Sequence, residues 1–165
     1  PPLVHKVDIY AAPHTLGVVR KDFDYAFAQD KYRGVPEIEL HEIDVTRPFR
    51  VGGLEVVPVS GHHSDRFAVT GYRIGRLGYI TDMLTMPEES YEQLAGVDVL
   101  IVNALRIAPH PTHQNLEAAL AVARRIQAKK TYFIHMSHDM GLHAEAERRL
   151  PENIHLAFDG LEILL

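Results

Sequence analysis

The sequence contains no cysteine. Disulfides, thiolate nucleophiles and cysteine-type zinc sites are therefore excluded together. A chain without thiols is compatible with a reducing cytoplasm, its expected location. A basic block is also missing, since 17 Lys and Arg stand against 22 Asp and Glu for a net charge of −5. Nucleic-acid binders cluster Lys and Arg, so a long polyanion is not an expected partner. No apolar run approaches the ~20 residues of a membrane helix. Lys6 and Asp8 interrupt the start, so no signal-peptide pattern opens the chain. No membrane partner is expected. A G-x-S-x-G elbow, a P-loop and a G-x-G-x-x-G fingerprint are all lacking. Nothing in the motifs points to a serine nucleophile, a phosphate-cradling loop or a dinucleotide cofactor.

Histidine is abundant instead, with 11 in 165 residues. Most lie in tight groups: His62 with His63, His110 with His113, and His135 with His138 and His143. They are dispersed through folded-looking sequence, which excludes a terminal tag. Histidine is the commonest metal ligand and the usual proton carrier near neutral pH. The length suits a single domain, 1–165, with one core. A hydrophobic share of 46% and a charged share of 24% are ordinary for a globular protein.

The pattern along the chain changes at Asp82. Before it, Val7 to Ala11 reads as a buried strand and Leu16 to Ala28 as roughly helical. Asp30 to Pro36 is a loop by its Gly and Pro. Glu37 to Ile43 alternates as a half-buried strand. Phe49 to Val51 and Leu54 to Val59 flank Gly52-Gly53, a hairpin signal. Ala68 to Ile74 and Gly78 to Thr81 form another strand pair turned at Gly75. After Asp82, helix and strand alternate. Thr85 and Glu88 form a capping-box pattern for a helix to about Leu94. Val97 to Val102 is a continuous apolar strand, Asn115 can cap a helix, and Thr131 to Ile134 is the next strand. Gly141 to Leu150 reads as a helix. Ile154 to Ala157 and Leu161 to Leu164 read as strands joined at Asp159-Gly160. This order predicts an α/β fold of sheets covered by helices.

Four strands release into segments carrying His or Asp. His62-His63 follows the strand ending at Val59, and Asp82 follows Thr81. His110 and His113 come after Val102, and His135 directly follows Ile134. Ligand sites of α/β sheets lie beyond the carboxyl ends of strands. Imidazole and carboxylate without thiolate suit Zn²⁺, Mn²⁺ or Fe²⁺, so the residue types alone suggest metal-assisted hydrolysis. His138 reads as a second, supporting layer rather than a ligand. His5, His14, His41, His143 and His155 read as structural or surface residues.

The chain resembles the metallo-β-lactamase superfamily, and within it the branch of phosphoribosyl 1,2-cyclic phosphate phosphodiesterases. The resemblance is carried by GHHSD at Gly61 to Asp65, GYR at Gly71 to Arg73 and YITD at Tyr79 to Asp82. VDVLIVNALR at Val97 to Arg106, PHPTH at Pro109 to His113, FIHMSH at Phe133 to His138 and FDGLEI at Phe158 to Ile163 continue it. Each motif is weak alone; their order and spacing together are specific.

The resemblance implies an αββα sandwich, of which this chain would be the C-terminal portion without the N-terminal β-half. It implies a phosphodiesterase acting on a small cyclic or nucleotide-like phosphodiester through a dinuclear metal-bound hydroxide, with two divalent ions, Zn or Mn or Fe. By position, His63, Asp82 and His135 would be metal ligands, with Asp82 bridging and His62 the alternative to His63. His113 would be the catalytic acid or base beside the leaving group. The family's H-x-H-x-D-H motif is absent. The expectation is therefore that the chain as written is a fragment, inactive by itself, with an open apolar face where the missing strands would pack; a homodimer is the expected partner state. The alternatives are another hydrolase of the same fold (a nuclease, or a thioester or lactone hydrolase) and a non-catalytic degenerate module.

Overall fold

Alternating apolar residues and glycine turns build most of this chain's β-structure, and a computed structural model describes it for residues 6–31 and 34–165. His5 and the Tyr32-Arg33 part of the expected loop lie outside the described residues. The chain divides into two compact units, Pro1–Thr46 and Arg47–Leu165, where a single domain was expected. The division has a physical basis. Strand β1 (Val7–Ala11) pairs in parallel with β2 (Ile38–Glu42), and the two form a separate two-stranded sheet. Between them run helix α1 (Pro13–Asp22) and a 3₁₀ turn at Asp24–Ala26, in place of one longer helix.

The second unit is a seven-stranded mixed sheet in the order β3 to β9. Strand β3 (Phe49–Val51) turns at Gly52-Gly53 into the long β4 (Leu54–Ser64), which returns as β5 (Phe67–Ile74) and β6 (Leu77–Ile80). These pairs are antiparallel. The sheet then becomes parallel through β7 (Val99–Asn103), β8 (Lys130–Ile134) and β9 (Ile154–Leu156). Parallel neighbours need crossovers, and α2 (Glu88–Leu94), α3 (Leu116–Ile126) and α4 (His143–Glu147) supply them. The architecture is mixed α/β, as the residue pattern implies.

The core of this unit joins Val59, Ile80, Leu100, Val102 and Phe133 of the sheet to Leu94 of α2 and Ala119, Val122 and Ile126 of α3. Close packing at Gly71 demands glycine: a Cβ there would lie 2.5 Å from Ile80 Cβ and 2.6 Å from the Tyr79 carbonyl oxygen. Asn115 caps α3 as expected, its side chain accepting from the Ala118 N–H. The Thr85/Glu88 capping box does not form. Pro87 occupies the cap, and the Thr85 backbone is taken up by hydrogen bonds with His62. Helix α4 is shorter than the Gly141 to Leu150 run, and no strand covers Leu161 to Leu164. Among the described residues no helix is long and apolar enough to cross a membrane.

Candidate metal centre

Strands β4, β6, β7 and β8 run the same way, because two antiparallel steps separate β4 from β6 and parallel steps follow. Their carboxyl ends therefore share one edge of the sheet. His63 lies within β4 rather than in a loop after Val59. The β4–β5 register slips between His62 and Ser64, leaving His63 at a bulge. A bulge re-aims its side chain. Asp82 follows β6 with φ of 56°, and His135 follows β8 with φ of 62°. Left-handed backbone costs a non-glycine residue of the order of 1–3 kcal/mol. Only three non-glycine residues adopt it among those described, and the third, Gln127, is the C-cap of α3. Neither Asp82 nor His135 caps a helix, so helix capping does not account for their backbone conformation.

The strain brings donors together. Asp82 Oδ1 lies 3.5 Å from His113 Nε2 and 3.3 Å from His135 Nε2. The ligand-capable atoms of Asp82, His113 and His135 all fall within 4.8 Å of one another. The His113 ring stacks on His135 at 4.9 Å and meets His63 edge-on at 4.5 Å between centroids. His63 Nδ1 sits 3.0 Å from the Asp82 carbonyl oxygen. A carbonyl only accepts, so Nδ1–H donates and Nε2 keeps its lone pair. That backbone bond is the support a ligating histidine ordinarily has. Nitrogen and oxygen donors without sulfur fit Zn²⁺, Mn²⁺ or Fe²⁺, and this set of residues fits such ions.

His63, Asp82, His113 and His135 are thus brought to one place, with His113 inside the donor group rather than beside it. His62 turns elsewhere: its side chain is exposed, and its backbone bonds Thr85 and Leu84. His138 departs from the supporting role expected of it. Its side chain is 94% exposed and its Nε2 faces Asp139 at 3.4 Å, because a 3₁₀ turn at His138–Met140 carries it to the surface. His143 approaches the Leu156 carbonyl oxygen and His155 pairs with Glu147, both structural contacts.

Burial lowers the proton affinity of His113 below the ordinary histidine range. Its contact with Asp82 works against that shift, and the neighbouring imidazoles of His63, His135 and His110 reinforce it. Two residues without a role in the sequence reading hold its other nitrogen. Thr112 Oγ1 is 3.0 Å and His110 Nδ1 3.3 Å from His113 Nδ1. Asn103 was missed as well. It is fully buried and bonds the backbone of Met83 twice; its one sequence signal is an amide closing an otherwise apolar strand. A cavity of about 580 Å³ lies away from this centre, against Leu54, Val57 and Arg73. The Arg73 guanidinium is occupied by the carbonyls of Gly75, Gln93 and Ala95.

Residues 2–136 match the beta-lactamase superfamily domain. The chain is 35% identical over 158 residues to a protein of Porphyromonas gingivalis (strain ATCC BAA-308 / W83) named octanoyltransferase, covering 95% of this chain and 32% of that protein. The crystal structure of a new diphosphatase from the PhnP family superposes with a TM-score of 0.86 at 35% identity, covering 98% of this chain and 59% of that one. Zn²⁺-bound PqqB from Methylobacterium extorquens shares the fold, with a TM-score of 0.69 at 21% identity over 99% of this chain and 64% of its own. The chain therefore spans about a third of its curated relative and under two thirds of both solved structures.

Proposed function

The chain belongs to the beta-lactamase superfamily, a fold that implies divalent metal ions, and on that premise we propose that it carries part of the centre of a phosphodiesterase. The substrate class is a small cyclic or nucleotide-like phosphodiester. The observation that carries this reading is the gathering of Asp82, His113 and His135 donors within 4.8 Å, and likeness to a diphosphatase supports it. His63, Asp82 and His135 would hold two divalent ions, Zn or Mn or Fe. When bound, the ions supply an activated water and neutralise charge on the phosphodiester oxygens.

The chain's own residues then have separate tasks. His63 and His135 offer Nε2 from a bulge and a strand end, and the Asp82 carbonyl oxygen fixes the His63 ring through Nδ1. His113 moves the proton: its half-buried, neutral imidazole would take one at Nε2 from the attacking water and deliver it to the departing alkoxide. A lowered proton affinity makes the protonated form a good donor. Thr112 and His110 hold its Nδ1, which keeps the ring in place.

The membership of His113 in the three-donor group favours a second role for it, as a ligand. Replacing His113 with Ala in the full-length protein separates the two. For a proton carrier, metal content stays intact and turnover of an alkyl phosphodiester falls by roughly 10²–10⁴. A nitrophenyl diester, whose leaving group needs no proton, loses less. Equal loss on both substrates with depleted metal makes His113 a ligand. A full-length protein that binds no divalent ion sinks the phosphodiesterase reading itself. A second reading is thioester hydrolysis at the same centre; its one point of contact is the acyl group in the name of the octanoyltransferase, of which this chain covers 32%. Faster turnover of an octanoyl thioester than of any phosphodiester would put that reading first.

A further inference from the structure

Strand β6 ends at Ile80, and β7 runs on beside it to Asn103. Beyond Ile80 the ladder between them is over, so the Met83 backbone has no strand partner there. The Asn103 side chain takes that place. Its Oδ1 accepts from the Met83 N–H at 2.9 Å, and its Nδ2 donates to the Met83 carbonyl oxygen at 2.9 Å. Both residues are fully buried. The same Met83 carbonyl also accepts from the Gln114 N–H at 3.2 Å, and Gln114 follows His113 directly. One residue onward, the Ala104 N–H donates to the Ile134 carbonyl at 3.0 Å, immediately before His135.

We infer that Asn103 is a positioning residue of the centre, holding Asp82 in its left-handed conformation through Met83 and tying it to the segments that carry His113 and His135. This rests on the reading of Asp82 as a metal ligand. Asp82 is strained at φ of 56°, and strained backbone persists only where its surroundings over-determine it. Met83 is the next residue, and it is clasped at both its N–H and its carbonyl. Only a carboxamide presents an acceptor and a donor side by side at the end of so short an arm. An ionised carboxylate has acceptors alone, and leucine has neither.

The test uses the full-length protein with Mn²⁺ as the probe. Metal affinity is read together with the paramagnetic resonance spectrum, which reports whether two ions share a bridging ligand. The thermal midpoint of the chelator-treated protein is recorded alongside. Asn103→Leu removes both bonds; Asn103→Asp keeps the acceptor for the Met83 N–H. The control is Ser90→Ala, which removes a part-buried side-chain-to-backbone bond, Ser90 Oγ to the Ser60 carbonyl at 2.7 Å, without touching Met83. The expected result is ~10–100-fold weaker Mn²⁺ binding in Asn103→Leu, the usual cost of losing support behind a ligand. The bridged signal should be lost, and Asn103→Asp should fall between Leu and wild type. Ser90→Ala should lower the midpoint and leave affinity unchanged. Should Asn103→Leu fail to fold, Asn103→Asp decides. Wild-type affinity and signal in the Asn103 variants overturn the inference alone, as does an equal loss in Ser90→Ala. A wild-type protein that binds no Mn²⁺, Zn²⁺ or Fe²⁺ overturns both this inference and the reading it rests on.

Discussion

Asp82, His113 and His135 in the longer unit and Asp8, Glu39 and His41 in the shorter one each bring ligand-capable atoms within 4.8 Å of one another. The two groups are built differently. In the shorter unit, β1 and β2 pair Asp8 with Glu39, and His41 lies two residues further on the same face. Register alone makes those neighbours, since side chains two apart share a face. Each already has a partner. His41 Nε2 is 2.7 Å from Asp8 Oδ1, Lys6 pairs with Glu39, and Tyr10 stacks on His41 at 4.4 Å. No residue of that group has a left-handed backbone. In the longer unit the donors come from the ends of different strands, and two of them sit in strained conformations. Closeness of donors is thus cheap on a strand pair and says little. Closeness maintained against backbone preference points to a site.

The largest expected contrast is in metal binding. Asp82→Ala should weaken divalent-ion affinity by more than the ~100-fold upper range for losing a supporting contact, while Asp8→Ala leaves it unchanged by calorimetric titration. Equal effects would erase the distinction between the two groups. Gly71→Ala comes next. Its Cβ would overlap Ile80, two residues before Asp82, so unfolding in urea should show a loss of about 1–3 kcal/mol. Gly17 is open on all sides, and its replacement by Ala should show no such loss.

A smaller effect of opposite sign is expected at His135. In the metal-free protein, His135→Gly relieves left-handed strain of roughly 1–2 kcal/mol against an added backbone-entropy cost of roughly 0.5–1 kcal/mol. A net gain of about 0.5–1 kcal/mol should follow, with metal affinity lost. His41→Gly, in an extended strand, should instead destabilise by a similar amount. A less stable His135→Gly protein would remove strain from the account of this centre.

The smallest effect concerns pH. His113 is held below the ordinary histidine pKa, chiefly by burial, so the unfolded chain takes up a proton first as pH falls. The stability contributed by its neutral form is complete above roughly pH 6.5. It is lost progressively as pH drops from there toward the lower folded value. Metal-free protein followed by thermal midpoint should show this slope, and His113→Ala should flatten it. An unchanged slope in the variant would assign the dependence to other groups.

Much of this was legible in the residues. Period-two alternation and the Gly52-Gly53 signal located β2, β3 and the start of β4, and Asn115 announced its helix. The family likeness rested on motif order, and His63, Asp82, His113 and His135 stood out because they follow apolar strands. Local pattern was silent where neighbours decide. The Thr85/Glu88 box failed because His62 takes up the Thr85 backbone. Leu161 to Leu164 alternates like a strand but has no ladder partner. His138 sits three residues beyond His135, yet a 3₁₀ turn carries it into solvent.

The sequence by itself determined most of the elements, the donor chemistry and the placement of Asp82 and His135 after apolar strands, because each is set by residues within a few positions of one another. Only the tertiary structure decided which imidazoles meet. A bulge selects His63 over His62, positive φ turns Asp82 and His135 to face one another, and Asn103 clasps a backbone twenty residues behind it. Those choices depend on strand direction, register and packing across the sheet, quantities that belong to pairs of distant segments and that no local stretch of residues contains.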